Sequence, residues 1–108
     1  MKIATTDFFP GDEISEFLGL VSGSTIRSKN LFRDIGAGLK SLIGGELRGY
    51  SEMMNEAREE AIARMKEEAE KLGADGVVAT RLQTSTLAAG AAEVIAYGTA
   101  VCLSSSKK

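Results

Sequence analysis

The most distinctive pattern in the chain is its last apolar run, residues 92–103 (AEVIAYGTAVCL). With a period of two, neither face of this segment is polar, so a strand here is expected to be covered on both sides. A chain of 108 residues has few elements to spare for the second side. The pattern therefore predicts that copies of the chain cover one another. The two faces hold Val94, Ala96, Gly98, Ala100 and Cys102, and Ile95, Tyr97, Thr99, Val101 and Leu103.

Three further strands are predicted upstream of this run. The first covers residues 2–9 and ends at the turn signal Pro10-Gly11. The second covers residues 13–29, where the glycines at 19 and 23 indicate a bulge or a sharp bend. The third covers residues 76–86, and residues 87–91 join it to the last strand as a hairpin loop.

Two helices are predicted between the second and third strands. Asn30 can cap the first, which runs to about Ile43 before Gly44-Gly45 ends it. Ser51 is expected to cap the second, residues 52–72, which Gly73 closes. The buried stripe predicted for the second helix consists of Met54, Ala57, Ala61, Met65, Ala69 and Leu72, with Ile62 at its side.

The solvent side of the second predicted helix is charged. Glu60–Arg64 and Glu67–Lys71 are spaced four residues apart, which favours ion pairs on the helix surface. Each such pair stabilises a helix by a few tenths of a kcal/mol.

The element order β-β-α-α-β-β predicts an α+β domain, with an antiparallel sheet packed by helices on one side. Residues 1–103 are expected to form a single domain, and residues 104–108 a solvated tail. No run approaches the roughly 20 apolar residues of a membrane span. The first residues lack the apolar core of a signal peptide. We therefore expect a cytoplasmic protein without a membrane partner.

Composition excludes several classes of function. The net charge of −2 gives no general attraction for nucleic acid. The single Cys102 excludes an intrachain disulfide and fits a reducing compartment. The chain has no histidine, so the Ser-His-Asp and Cys-His arrangements and imidazole ligation of metals are unavailable. We expect a protein that is not an enzyme and has no cofactor; a carboxylate- or tyrosine-based enzyme is the weaker alternative.

Two candidate sites follow from the residues. Gly44, Gly45 and Arg48 precede the second predicted helix, where free amides and a guanidinium can hold an anion; a flexible connector is the alternative.

Tyr50 and Arg58 lie beside the predicted buried stripe. A partly desolvated guanidinium there needs a carboxylate or carbonyl partner, or it recognises a small anionic ligand at a subunit boundary. The candidate partners within the chain are Asp34, Asp75 and Glu93.

A series of short motifs in this order resembles the YbjQ-like family, sometimes labelled a heavy-metal-binding domain. The motifs are Thr5-Thr6, Gly19-Leu20-Val21, Asn30-Leu31-Phe32-Arg33-Asp34, Gly44-Gly45, Tyr50, Ala57-Arg58, Ala61, Gly73-Ala74-Asp75-Gly76-Val77-Val78 and Gly98-Thr99-Ala100-Val101. The resemblance covers nearly the whole chain. It implies a dodecin-like subunit that assembles into a homo-oligomeric ring, a pentamer, and it implies no established reaction. Gly76 stands where the family usually has alanine.

The chain has few of the residues that a heavy-metal site requires as ligands. Soft metals prefer clustered thiolate or imidazole ligands. This chain has one thiol, Cys102, and no imidazole, and the thiol is expected to be a core residue. The sequence therefore predicts a non-catalytic assembly or small-ligand-binding module, with heavy-metal binding as the alternative function and no metal ligand assigned.

Overall fold

The computed structural model describes residues 1–28, 45–88 and 90–104. The helix predicted for residues 30–43 lies outside these ranges. The described elements, in chain order, are β1 (Lys2–Ile3), β2 (Ile14–Ser28), α1 (Gly45–Lys71), β3 (Gly76–Ala88) and β4 (Ala91–Leu103). The α+β class is confirmed. Within the described residues, no helix is long and apolar enough to cross a membrane.

The four strands form one mixed sheet in the order β1-β3-β4-β2. β4 pairs antiparallel with both β2 and β3, as the sequence pattern predicts. β1 pairs parallel with β3, so the prediction of a wholly antiparallel sheet is wrong. β1 is also much shorter than predicted: regular pairing ends after Ile3, although residues 4–6 stay hydrogen-bonded to the edge of β3. The hairpin loop is shorter too, since β3 continues to Ala88 and β4 begins at Ala91.

The helix α1 begins earlier than the sequence pattern indicates. It starts at Gly45, so Ser51 lies within the helix and is not its cap. Gly49 in the first turns lowers helix propensity by about 1 kcal/mol relative to alanine, which packing of the helix on the sheet can offset. The predicted end is confirmed: Gly73 has a φ of 81°, and its amide donates to the carbonyl of Glu70 over 3.0 Å. Such left-handed glycines commonly terminate helices.

The helix packs on one face of the sheet and forms the main core there. Five of the six residues of the predicted stripe are buried against the small residues of β4, and Ile62 lies half-buried beside them. Leu72 is the exception, with half of its surface exposed, because the helix ends at Lys71 and Leu72 lies beyond it. The buried core on this face contains Val21, Met54, Ala57, Ala61, Met65, Ala69, Val77, Ala92, Val94, Ala96 and Ala100.

Helix and sheet approach most closely at Gly23 of β2. A Cβ at this position would lie 2.8 Å from the carbonyl carbon of Arg64 and closer still to main-chain atoms of Ala61 and Met65. Only glycine leaves room for the backbone of α1 at this crossing. α1 therefore lies over β2 and the neighbouring part of β4, and among the described residues no helix covers most of β3.

The described residues cover the opposite face of the sheet, which we call the outer face, at one end only. There the connection between β1 and β2 places Phe9 over Val78, Val101 and Leu103, and all four side chains are buried. Farther along β4, the outer-face residues Ile95, Tyr97 and Thr99 are half-buried. Within the described ranges, no helix or strand covers this part of the sheet.

A bulge interrupts β3 between Val78 and Arg81. Ala79 has a φ of 54°, the left-handed region that alanine rarely adopts. Two hydrogen bonds hold the first residues of the chain against this bulge: the Ala79 amide donates to the Thr6 carbonyl over 2.8 Å, and the Thr80 amide to the Ala4 carbonyl over 3.0 Å. The bulge thus lies where β3 has passed the end of β1, and it changes the course of the strand there.

Candidate functional site

Of the residues predicted to form a ligand site, the structure describes the side chains of Tyr50 and Arg58. Gly44 lies outside the described residues, and Gly45 and Arg48 belong to the first turn of α1. Tyr50 is half-buried and packs against the main core. The interpretation of residues 45–51 as a flexible connector is wrong, because this segment is helical.

Arg58 is half-buried at the boundary of the packed face, as predicted. Its guanidinium Nη2 donates to the side-chain oxygen of Asn55, one turn earlier on the same helix. Arg58 thus donates a hydrogen bond to an uncharged acceptor on its own helix. The prediction that Arg58 and Tyr50 contribute to a ligand site stays a prediction.

A charged network joins β2 to α1. Arg27 on β2 donates to Glu60 on the helix, and Arg64 donates to the other carboxylate oxygen of Glu60 over 2.5 Å. Arg64 also donates to the carbonyl of Ser24 over 2.6 Å. The hydrogen bond from Arg27, together with the positive charges of Arg27 and Arg64, lowers the pKa of Glu60 below its ordinary value of 4.5.

One of the two ion pairs predicted on the surface of α1 is present, and the other has a different partner. The Glu60–Arg64 pair is present as expected. Lys71, however, pairs with Glu68 over 3.2 Å, three residues away, and not with Glu67. Both spacings place the two side chains on one side of a helix.

Cys102 is half-buried, and not the core thiol that the sequence predicts. Its Sγ lies 3.6 Å from the carbonyl oxygen of Gly73, just past the end of α1. In residues 1–28, 45–88 and 90–104, no three acidic or cysteine side chains are grouped so that they could hold a metal ion. Within these ranges, Cys102 would need ligands from further copies of the chain to hold a soft metal.

Two strand edges of the described sheet are open. β2 is a terminal strand with a single neighbour, β4, along its 15 residues. On the other side, β1 pairs only with Gly76 and Val77, so β3 from Arg81 to Ala88 has β4 as its only described neighbour. Large apolar side chains are exposed on both strands: Phe17, Leu20 and Ile26 on β2, and Leu82 and Leu87 on β3.

Thr80 and Arg81 of β3 were not among the site residues predicted from the sequence. In the sequence, Arg81 begins a polar alternation with Gln83 and Ser85 and is typical of a solvated strand face. In the fold, Arg81 Nη1 donates to the carbonyls of Thr5 and Thr80, each over 2.9 Å. No local pattern signals this contact with Thr5, because it depends on the bulge and on the pairing of β1.

The comparisons with known proteins agree with the motifs in the sequence. Residues 1–104 match a family described as "Putative heavy-metal-binding". A UPF0145 protein of Methanosarcina acetivorans is 59% identical over 101 residues, covering 94% of this chain and 95% of that protein. A UPF0145 protein of Thermotoga maritima is 55% identical over 103 residues, covering 95% and 97%.

The fold also resembles a solved structure. A protein of unknown function from Pediococcus pentosaceus superposes with a TM-score of 0.60 at 17% identity, covering 95% of this chain and 97% of that one. This likeness supports the fold alone. Together with the match over residues 1–104, the relatives above half identity show that the chain belongs to the YbjQ-like family.

Proposed function

We propose that this protein is a non-catalytic assembly module that forms a closed homo-oligomeric ring, with neighbouring subunits joined through their open strand edges. The number five for the ring comes from the family resemblance. The observation that carries the proposal is that the described sheet has two open edges, β2 and the distal part of β3, on its opposite sides.

Most of the edge of β2 lacks the usual protection against pairing with another chain, since its two bulges are confined to residues 14–19. Natural edge strands are commonly blocked by lysine, by proline or by very short length. β2 has 15 residues and contains neither lysine nor proline. It exposes Leu20 to 76% and Phe17 and Ile26 to more than 60% each. A long unblocked edge with exposed apolar side chains is typical of a surface that pairs with a further strand.

The strand directions favour a head-to-tail contact. β2 and β3 both run antiparallel to β4, so they run parallel to each other. In a ring whose strands run along the symmetry axis, rotation preserves strand direction, and β2 of one copy would meet β3 of the next in a parallel pair. This contact uses both open edges and closes on itself. A two-fold pair of β2 strands would leave both β3 edges unpaired.

The position of α1 supports the same contact. The helix crosses β2 at Gly23, close to the open edge. Leu82 of β3 pairs with Ala96 and therefore lies on the helix-facing side, yet 44% of its surface is exposed. If β3 of the next copy lay beside β2, then α1 would extend over Leu82 of that copy. The ring would thus bury apolar surface that one subunit leaves open.

A charge at position 82 tests this arrangement. Leu82→Lys leaves the charge in water in a free subunit, but places it beneath the neighbouring helix in the ring, where an unpaired charge is strongly unfavourable. We expect light scattering to report a ring for the wild type and single subunits for Leu82→Lys, with similar circular dichroism. Phe8→Lys is the control, since Phe8 is also exposed but lies outside both strand edges. A ring that survives Leu82→Lys contradicts the proposed contact.

Heavy-metal binding is the alternative function, and the family description is the reason to test it. A ring would supply one Cys102 from each copy. The test is a titration of metal-free protein with Zn²⁺, Cd²⁺ and Cu⁺, comparing the wild type with Cys102→Ser. Stoichiometric binding that Cys102→Ser abolishes would support this function, and the lack of binding in the wild type would exclude it.

A further inference from the structure

A groove lies between α1 and β3, on the side of the sheet that the helix leaves partly uncovered. Its volume is about 570 Å³, within the range of small-molecule sites. It is separate from the positions of Tyr50 and Arg58. The lining residues are Ile3, Thr5, Ile62, Thr80, Arg81 and Leu82.

Arg81 supplies a positive charge to this groove. Its guanidinium is held by two backbone carbonyls, those of Thr5 and Thr80, through the single nitrogen Nη1. Within the part of the chain that the structure describes, no carboxylate forms an ion pair with Arg81. The charge is therefore positioned by neutral acceptors, and its remaining N–H donors are free for an anion. A planar guanidinium matches the geometry of a carboxylate.

Thr80 supplies a hydroxyl group at the same place. Its side chain is only 6% exposed, and Oγ1 is buried without a hydrogen-bond partner among the described residues. The bulge places this side chain above Gly98, where a Cβ would approach Thr80 Oγ1 to 3.2 Å. Buried hydroxyl groups are nearly always hydrogen-bonded, so an unpartnered one beside a groove points to a partner that it meets when the Thr80 side chain turns towards the groove.

The rest of the lining is apolar. Ile3 and Ile62 are half-buried, and Leu82 exposes 44% of its surface. The groove thus combines one cation and one hydroxyl with an aliphatic wall. The lining residues include no second cation, which a doubly charged phosphate would favour.

We propose that this groove binds small monocarboxylates with an aliphatic tail, the carboxylate on Arg81 and Thr80 and the tail along Ile3, Ile62 and Leu82. The site is formed by residues of one subunit, so it does not rest on ring formation. In the proposed ring, α1 of the neighbouring copy would extend over Leu82 and close the groove on that side.

Isothermal titration of the full chain with octanoate tests the site. We expect saturable binding of one octanoate per subunit, and binding of acetate at least tenfold weaker because it lacks the tail. Arg81→Gln should weaken octanoate binding at least tenfold. The matched control is Lys71→Gln, which removes an exposed cation at the far end of α1 and should leave the affinity unchanged.

Thr80→Val separates a ligand role from a structural one. Replacing an unpartnered hydroxyl by a methyl group should leave the thermal unfolding midpoint unchanged or raise it. The same substitution should weaken octanoate binding several-fold. Absence of saturable octanoate binding to the wild type would overturn the proposal, as would an affinity that Arg81→Gln does not change. The oligomeric mass, measured on the same samples, shows separately whether the ring is present.

Discussion

The backbone of α1 at Met65 passes directly over Gly23 of β2, so close that no side chain can lie between them. This crossing fixes the position of the helix over the β2 edge of the sheet. Among the described residues, it also explains why the helix-facing side of β3 stays open, since α1 alone cannot cover both edges. The two surfaces on which our proposals depend, the β2 edge and the β3 groove, both follow from this contact.

Gly23→Ala should therefore be strongly destabilising. The added methyl group would displace the backbone of α1, and overpacking of a tight interface costs about 1–3 kcal/mol. Urea unfolding of the variant should show this loss. Ser22→Ala is the matched control, because Ser22 is exposed and its neighbour across the sheet is Tyr97 on the outer face. The control should change the free energy of unfolding by no more than about 0.5 kcal/mol.

Ala79→Gly should be stabilising, which is unusual for glycine within a strand. The φ of 54° costs an L-residue about 1–2 kcal/mol, and glycine adopts it without that cost. We expect the free energy of unfolding to rise by about 1 kcal/mol. Ala96→Gly, at a buried and regular position of β4, should lower it instead by at least about 0.5 kcal/mol. Equal losses in both variants would show that the bulge carries no strain.

Stability should depend on the charge of Glu60 at acidic pH. Because the pKa of Glu60 is lower in the folded protein than its ordinary value of 4.5, the charged carboxylate stabilises the fold above that value. This contribution is lost as the pH falls through the lowered folded pKa. The unfolding midpoints of wild type and Glu60→Gln should therefore differ at pH 7 and converge well below pH 4.5.

The control for this pH dependence is Glu59→Gln. Glu59 is an exposed neighbour on the same helix and forms no ion pair within the described residues. Its substitution should leave the midpoint nearly unchanged at both pH values. A Glu60→Gln variant that is as stable as the wild type at pH 7 would contradict the role given to the Arg27–Glu60–Arg64 network.

The elements predicted correctly are those with a long periodic pattern. The stripe from Met54 to Ala69 needs only helical spacing, and the hairpin of β3 and β4 needs only two apolar runs and a short glycine-containing loop. The early start of α1 at Gly45 was missed, because two glycines and Ser51 resemble a loop and a cap, whereas packing on the sheet overrides local propensity.

The groove lay beyond sequence reasoning for a different reason. Arg81 and Thr5 are 76 residues apart, and their contact depends on a parallel pairing of two residues in β1 and on a left-handed alanine in β3. Neither feature leaves a periodic pattern. The candidate residues Tyr50 and Arg58 were selected for their position on a helix, and only the fold shows that Thr80 and Arg81 line one groove.

The most direct test of the central claim, that open strand edges join copies of this chain, is native mass spectrometry of the wild-type protein at micromolar concentration. The account predicts a dominant species with five times the 11.4 kDa mass of one subunit. A dominant monomer would contradict it because both edges would then be stable in water, and a dominant dimer would contradict the five-membered ring.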